Sequence, residues 1–234
     1  MSQCALVRTG PYVLGKMVYS KIKDTYVIDI GSNVGDMSEK FLTHGAEHVL
    51  CIEPSSVLCE KLSNNLIGKG FSKDKFTIMN CGVSDKEGTL KNVTFVNCWT
   101  LGTPETTALP ISPGAQDVVG KENFDVSLIS LDDIMDRSFI KDKDIKFIKI
   151  DVDGYEAKVL RGGKKFINKY RPIILFELSY LPVNCGDSIT EMLNTIFDEL
   201  NYKMYRTDGL EVSKSFVIDN FPWHTSCDVI LVPK

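Results

Sequence analysis

The 234-residue sequence predicts one doubly wound α/β domain built on a mainly parallel sheet of about seven strands. Three observations lead there. From residue 25 onward, short apolar runs alternate with segments of helical periodicity. The first two runs, TYVIDI and HVLCIEP, each carry an acid at the end where the chain turns into the next helix. The alternation breaks once, after the third run, where two strand-like segments follow with no helix between them.

In chain order, residues 1–23, around GPYVLGKMVYSKIK, predict a helix covering one end of the sheet. TYVIDI (25–30) reads as a buried strand, and NVGDMSEKFLTHG (33–45) as a helix closed by Gly45. HVLCIEP (48–54) is a second strand, ended by a proline that cannot continue a ladder. SSVLCEKLSNNLIGKG (55–70) is the next helix and FTIMNCGVS (76–84) a third strand. GTLKNVTFV (88–96) and FDVSLISLDDI (124–134) form an added pair of strands. Between them residues 97–123 are rich in Thr, Pro, Gly and Ser, as expected of a lid or substrate loop. IKFIKIDVDG (145–154) is a strand with its turn, and residues 155–170 form a helix with an interruption at Gly162–Gly163. RPIILFEL (171–178) is another buried strand. Ser188 and Glu191 predict a capping box for a helix over 188–200. YKMYRT (202–207) and CDVILVPK (227–234) supply the last strands.

Composition limits the function. A formal net charge of −4, with lysines spread along the chain, gives no basic patch for nucleic acid. The seven cysteines include no CxxC pair, which argues against structural zinc and for reduced thiols in a cytoplasmic compartment. No apolar run approaches the length of a membrane span, and no secretory leader is recognisable. Oligomeric state stays open, a homodimer included.

The stretch VIDIGSNVGD carries the first site. Gly31 and Gly35 permit a tight turn and close backbone approach to a ligand at the C-terminal end of a strand. It is a poor phosphate cradle. Asn33 and Asp36 occupy the second and third glycine positions of a dinucleotide fingerprint, and no GK[ST] follows. Asp29 before the turn suits a cationic group such as a methionyl amine. Glu53, at the end of the next strand, suits a pair of ribose hydroxyls. Two such acids without a phosphate cradle point to S-adenosylmethionine. Asn80 and Cys81, ending the third strand, could line an adenine pocket, with Asn80 bonding the purine.

The second constellation is FIKIDVDGYE. Lys149 and Asp151 share one strand face, where charge is costly unless paired or used. Asp153 and Glu156 flank Gly154 at the next helix start. Asp151 and Glu177, on neighbouring strands, could hold Mg²⁺ or Mn²⁺ against an acceptor hydroxyl. Alternatively Asp151 or Asp153 is the general base; Lys149 qualifies only with a strongly depressed pKa. His224, in a loop before the last strand, is a lesser candidate base.

With these residues in hand, the chain resembles the FkbM family of S-adenosylmethionine-dependent methyltransferases. The matching segments are VIDIGSNVGD, CIEPSSVLCEKLSNN, NCGVSDKEGTL, ISLDDI, IKFIKIDVDGYEAKVLRGG and RPIILFEL, over roughly residues 25–180. Asp153 stands where the family usually has Glu, and Ser32 and Gly82 where it usually has Ala. The resemblance implies the Rossmann-like class I methyltransferase fold. It also implies methyl transfer to a hydroxyl of a sugar, glycan or polyketide-type acceptor. By position it assigns the cofactor to Asp29, Gly31, Asn33, Gly35 and Glu53, with Ser32, Pro54 and Gly82 beside them. Asp151, Asp153 and Glu156 would border the acceptor. Two other readings compete. A non-catalytic binding subunit on this fold would have lost one of Asp29, Gly31 or Glu53, and a nicotinamide-dependent oxidoreductase is opposed by Asn33 and Asp36.

Overall fold

The computed structural model describes residues 14–95, 101–102, 124–221 and 226–234. Helix α1 (Leu14–Ile22) leads into β1 (Tyr26–Ile30), α2 (Asp36–Thr43), β2 (His48–Ile52), α3 (Ser56–Gly68) and β3 (Phe76–Met79). A side branch follows: β4 (Gly82–Ser84), β5 (Gly88–Phe95), β6 (Leu101–Gly102) and β7 (Phe124–Ser130), closed by the short α4 (Leu131–Ile134). The main fold resumes with β8 (Ile145–Ile150), α5 (Glu156–Gly162), α6 (Lys164–Tyr170) and β9 (Ile173–Leu178). It ends with α7 (Leu181–Asn184), α8 (Ile189–Asn194), β10 (Tyr202–Arg206), β11 (Glu211–Val212), α9 (Lys214–Asn220) and β12 (Cys227–Pro233).

The main sheet has eight strands in the order β11-β10-β12-β9-β8-β1-β2-β3. The five from β9 to β3 are parallel, and β12, β10 and β11 are antiparallel. The eighth strand beyond expectation is β11, two residues long. Both faces of the sheet are covered, so its central strands are apolar in both directions. Ile28, Ile30, Leu50, Ile52, Ile148, Ile150 and Phe176 pack on one face with residues of α5, α6 and α8. Val27, Val49, Phe147, Leu175 and Ile230 pack on the other with α1, α2 and α3. There Phe147 meets Phe41 edge-on, with ring centroids 5.3 Å apart. Val18 and Ile22 place α1 over this face rather than over one end of the sheet.

Several boundaries differ from expectation, each for a local reason. The third strand leaves the main sheet after Met79, and Gly82–Ser84 pairs with β7 instead. The added strands form a four-stranded sheet, β4-β7-β5-β6, rather than a simple hairpin. Residues 131–134 turn into helix because Ser130 and Asp133 form a reciprocal capping box. At Ser188 only half of the expected box forms: its hydroxyl accepts from Glu191 N–H at 3.3 Å. The helix over 155–170 does break at Gly162–Gly163. A side chain at 162 would meet Ser84 O at 2.2 Å, so glycine lets α5 pass close beside β4. Cys51, Cys59, Cys81 and Cys185 are free thiols. Among the described residues no helix is long and apolar enough to cross a membrane.

The chain runs outward from β1 to β2 and β3, then returns to place β8 on the other side of β1. The sheet order therefore reverses between β1 and β8. Their C-terminal ends diverge there and leave a crevice.

Candidate active site

A cavity of about 430 Å³ opens at this reversal, within the size range of small-molecule sites. Its wall runs from Glu53 and Pro54 after β2, past the Gly31–Val34 turn, to Lys149 on β8, Asp151 and Asp153 after it and Glu177 on β9. Cys81 and Gly82 join it, with Leu90, Val93, Val126 and Leu128 of the small sheet as an apolar side. Tyr155, Leu181, Asn184 and Cys185 close the far end.

The glycine turn is held by backbone bonds and one carboxylate. Gly31 and Ser32 N–H both donate to Ile52 O, at 2.9 and 3.1 Å. Glu53 accepts from Asn33 N–H at 3.0 Å through one oxygen and from Ser55 N–H at 2.9 Å through the other. It thereby ties the β1–α2 turn to the β2–α3 turn while still facing the cavity. Burial raises its pKa, against the lowering effect of these two donors. Each carboxylate oxygen keeps a lone pair for a ligand hydroxyl. Gly31 and Gly35 have φ of 79° and 92°, and Asn33 joins them at 50°. The need at Gly31 is a protein neighbour as much as a ligand: a Cβ there would lie 1.8 Å from Asp151 O. Gly35 faces Leu62 of α3, not the cavity.

Asp29 is not on the cavity wall. It is fully buried, with Oδ2 accepting from Ser38 Oγ at 2.5 Å and Oδ1 3.6 Å from Lys149 Nζ. The registers Asp29↔Lys149 and Asp29↔Cys51 explain this, since they set a polar row across three strands on the face that α2 covers. Burial raises the Asp29 pKa, and Lys149 and Ser38 oppose it. The expected direct contact of Asp29 with a cationic ligand group gives way to a supporting role. Ser38 carried no sequence signal beyond its helical periodicity.

Lys149 is likewise engaged. Its ammonium donates to Gly31 O at 3.0 Å and lies 3.1 Å from Asp151 Oδ2. Burial opposes its charge, but Asp29 and Asp151 outweigh that and hold its pKa above the ordinary lysine value. This corrects the candidate base: Lys149 stays an ammonium. It joins the glycine turn to Asp151, whose side chain is 40% exposed on the cavity wall.

The β8–α5 turn shows how its acids divide. Asp153 lines the cavity with φ 50°, a left-handed conformation that Asp tolerates better than most residues. Glu156 turns inward and is fully buried. Its carboxylate accepts from Val152 N–H at 3.0 Å and from Gly154 N–H at 3.0 and 3.2 Å. Burial nevertheless pushes its pKa up to about 7. Glu156 shapes the turn and does not reach the cavity, a correction to its expected place beside an acceptor. Asn80 is a second correction. Its amide donates to Glu53 O at 3.1 Å and Pro54 O at 2.9 Å, so it braces the β2–α3 loop from outside the cavity. His224 and most of the 97–123 segment lie outside the described residues.

Asp151 and Glu177 do line one cavity. Yet among the described residues no group of three or more His, Cys, Asp or Glu side chains comes together to hold a metal ion. The Lys149 ammonium already sits against Asp151, and the Mg²⁺ or Mn²⁺ expectation finds no donor set. Farther out, Asp187 pairs with Lys158 at 2.7 Å and with Arg161 at 2.5 Å, while Arg161 reaches Asp85 at 3.1 Å. This bridge fixes α5 between the small sheet and the α7–α8 loop.

The family model described as the methyltransferase FkbM domain matches residues 29–204, from the buried acid of β1 into β10. The chain belongs to the FkbM methyltransferase family. The match covers both the glycine turn and the β8–α5 turn of this FkbM domain. A crystal structure of an FkbM methyltransferase from Methylobacillus flagellatus KT superposes with a TM-score of 0.54 at 18% identity. The superposition covers 95% of this chain and 48% of that one, so the FkbM domain here spans about half the length of that protein. A ribosomal protein L11 methylase from Lactobacillus delbrueckii subsp. bulgaricus aligns at 12% identity, TM-score 0.46, over 95% of this chain and 74% of the other. A Trypanosoma brucei PRMT1 enzyme–prozyme complex with AdoHcy aligns at 26% identity, TM-score 0.24, over 26% and 19%. No protein with a curated description matches the chain.

Proposed function

We propose that this FkbM domain transfers a methyl group from S-adenosylmethionine to a hydroxyl of a sugar, glycan or natural-product acceptor. The observation that carries this reading is the distribution of groups along the crevice. A carboxylate suited to ribose hydroxyls, Glu53, stands at one end beside an apolar wall of Leu90, Val93, Val126 and Leu128. The acids Asp151 and Asp153 stand at the other, with the glycine turn between. A nucleoside fits the first part. A pyrophosphate does not, because Asp36 and Glu53 line the turn and Lys149 is taken up by Asp29, Asp151 and Gly31 O.

When bound, S-adenosylmethionine supplies an electrophilic methyl group. The chain's own part is to position an acceptor oxygen and remove its proton. Glu53 orients the nucleoside, and the Leu90–Val126 side excludes water from the purine. Asp151, anchored by Lys149 yet exposed to the crevice, is the proton acceptor at its free carboxylate oxygen. Asp153 orients the acceptor from the adjacent turn. The last strands lie at the end of the matched region or beyond it, and acceptor choice is assigned to them and to residues 97–123 inside it. The reading carries a cytoplasmic setting.

Calorimetric titration with S-adenosylhomocysteine tests the cofactor, and an acceptor screen that follows the mass gained per methyl group tests the transfer. Micromolar one-site binding supports the reading. Absence of binding rejects it in favour of a binding subunit that has lost the cofactor.

A further inference from the structure

Asp151 and Glu177 stand beside each other on the crevice wall in different surroundings. The β8–β9 register sets Lys149 against Leu175 and Ile150 against Phe176, so the next step along brings Asp151 alongside Glu177. Asp151 has a counter-charge, the Lys149 ammonium at 3.1 Å. That ammonium is otherwise engaged by Gly31 O at 3.0 Å and Asp29 at 3.6 Å.

Glu177 meets the opposite environment. Asp151, Asp153 from the β8–α5 turn and Glu156 from α5 all disfavour its charge, and Asp228 lies across from it in the β9–β12 register. Ser226, just before β12, contributes a hydroxyl. Leu181 and Asn184 of α7, on the same cavity wall, carry no charge. One carboxyl oxygen, Oε2, is sealed from solvent and has no hydrogen-bond partner among the described residues. A sealed, bare oxygen is costly on a carboxylate and much cheaper as the carbonyl oxygen of a carboxylic acid. Burial first, then Asp151, accordingly hold the proton on this carboxyl up to about 8. Two carboxyls side by side, one paired with a cation and one not, divide into a base and an acid.

We propose that Glu177 is an acceptor-binding residue: as a neutral acid it donates a hydrogen bond to an oxygen on the carbon next to the reacting hydroxyl, whose proton Asp151 takes. With Oε2 sealed as the carbonyl end, the O–H at Oε1 is turned to the crevice. Glu177 keeps its proton throughout. Adjacent strands lie about 4.8 Å apart, so the two side chains reach oxygens on neighbouring carbons of one molecule. The inference rests on the methyltransferase reading above and narrows its substrate class to acceptors with paired oxygens, as in a vicinal diol. An isolated alcohol satisfies Asp151 and leaves Glu177 without a partner.

The test follows glutamate side-chain carboxyls by isotope-edited NMR across pH, in the full chain saturated with S-adenosylhomocysteine. The probe is propylene glycol, a vicinal diol, and propanol is its one-oxygen control. A resonance missing from Glu177→Gln should titrate near 8. The diol should raise that midpoint, because it binds the protonated form, and propanol should leave it in place. Below the midpoint the diol should bind about fivefold more tightly than propanol. That preference should fade above the midpoint in the unaltered protein. It should persist in Glu177→Gln, whose amide still donates and does not titrate, and vanish at every pH in Glu177→Leu. A Glu177 signal in the ordinary glutamate range overturns the proposal, as does a diol preference that is absent or that survives in Glu177→Leu. Should the variants not fold, the unaltered protein still decides: a diol preference that stays constant as pH rises through the midpoint overturns the proposal. Failure of S-adenosylhomocysteine to bind defeats the methyltransferase reading, whereas these failures with the cofactor bound defeat this inference alone.

Discussion

Replacing Lys149 with Met isolates the polar row that underlies the crevice. Lys149 and Asp29 have side chains 9% and 0% exposed, so this pair is shielded from solvent. Met keeps most of the aliphatic volume and removes the ammonium. Asp29 Oδ2 keeps Ser38, but Oδ1, which has no hydrogen bond among the described residues even now, loses its counter-charge there. Breaking one side of a buried ion pair costs about 3–5 kcal/mol. Asp29 can limit that cost by taking up a proton. Without Lys149 its folded pKa rises further above the unfolded value, so the native variant holds a proton that the unfolded chain has released. Raising pH strips that proton, and the variant loses stability as pH rises. Urea unfolding near pH 5 and near pH 8 should therefore show a deficit of about 3–5 kcal/mol at the higher pH and a smaller one at the lower. Adding Asp29→Asn should recover part of the loss. A deficit under about 1 kcal/mol, or one equal at both pH values, would falsify the account of Lys149 as the counter-charge of a buried acid.

Three further outcomes can be checked directly. Gly31→Ala puts a methyl group 1.8 Å from Asp151 O at a φ of 79°, and should cost more than about 3 kcal/mol in chemical unfolding; near-neutral stability contradicts the close approach of the two turns. Asp151→Asn should nearly abolish turnover in a methyl-transfer assay while cofactor affinity by calorimetry stays close to normal, and undiminished turnover removes Asp151 as the proton acceptor. Glu156 and Glu177 hold protons in the folded state up to about 7 and 8 that the unfolded chain releases near ordinary glutamate values. Unfolding free energy should thus fall as pH rises from about 4.5 to about 8, and Glu177→Gln should flatten the upper part of that slope, as followed by urea midpoints.

Much of the parallel core was legible because its strands are buried on both faces and read as continuous apolar runs. TYVIDI, HVLCIEP and RPIILFEL needed no tertiary information, and Glu53 fell where the turn and the strand end placed it. The small sheet was harder. GVS continues FTIM in sequence, and only the pairing of Gly82 with Leu128 moves it to another sheet. ISLDDI carries strand-like residues up to a capping box that ends the strand at Ser130. The apolar side of the crevice went unrecognised because Leu90, Val93, Val126 and Leu128 become neighbours only when β5 and β7 pair. The alternation of Val126 and Leu128 with polar residues was the available signal, while a register shift between Leu90 and Val93 hides it in β5.

The sequence by itself determined the type of sheet, the position of its turns and the kinds of acid at the strand ends. These depend on local periodicity and on backbone conformations that glycine adopts easily. Which acids face a ligand was decided by tertiary structure alone. Asp29 and Lys149 lie 120 positions apart, and the β1–β8 register sets them side by side under α2. Glu156 folds back onto its own turn, while Asp151 and Glu177 meet in the crevice through the β8–β9 pairing. A carboxylate costs too much to bury unpaired. Its role therefore follows from the partners that pairing and packing supply, and local sequence does not contain them.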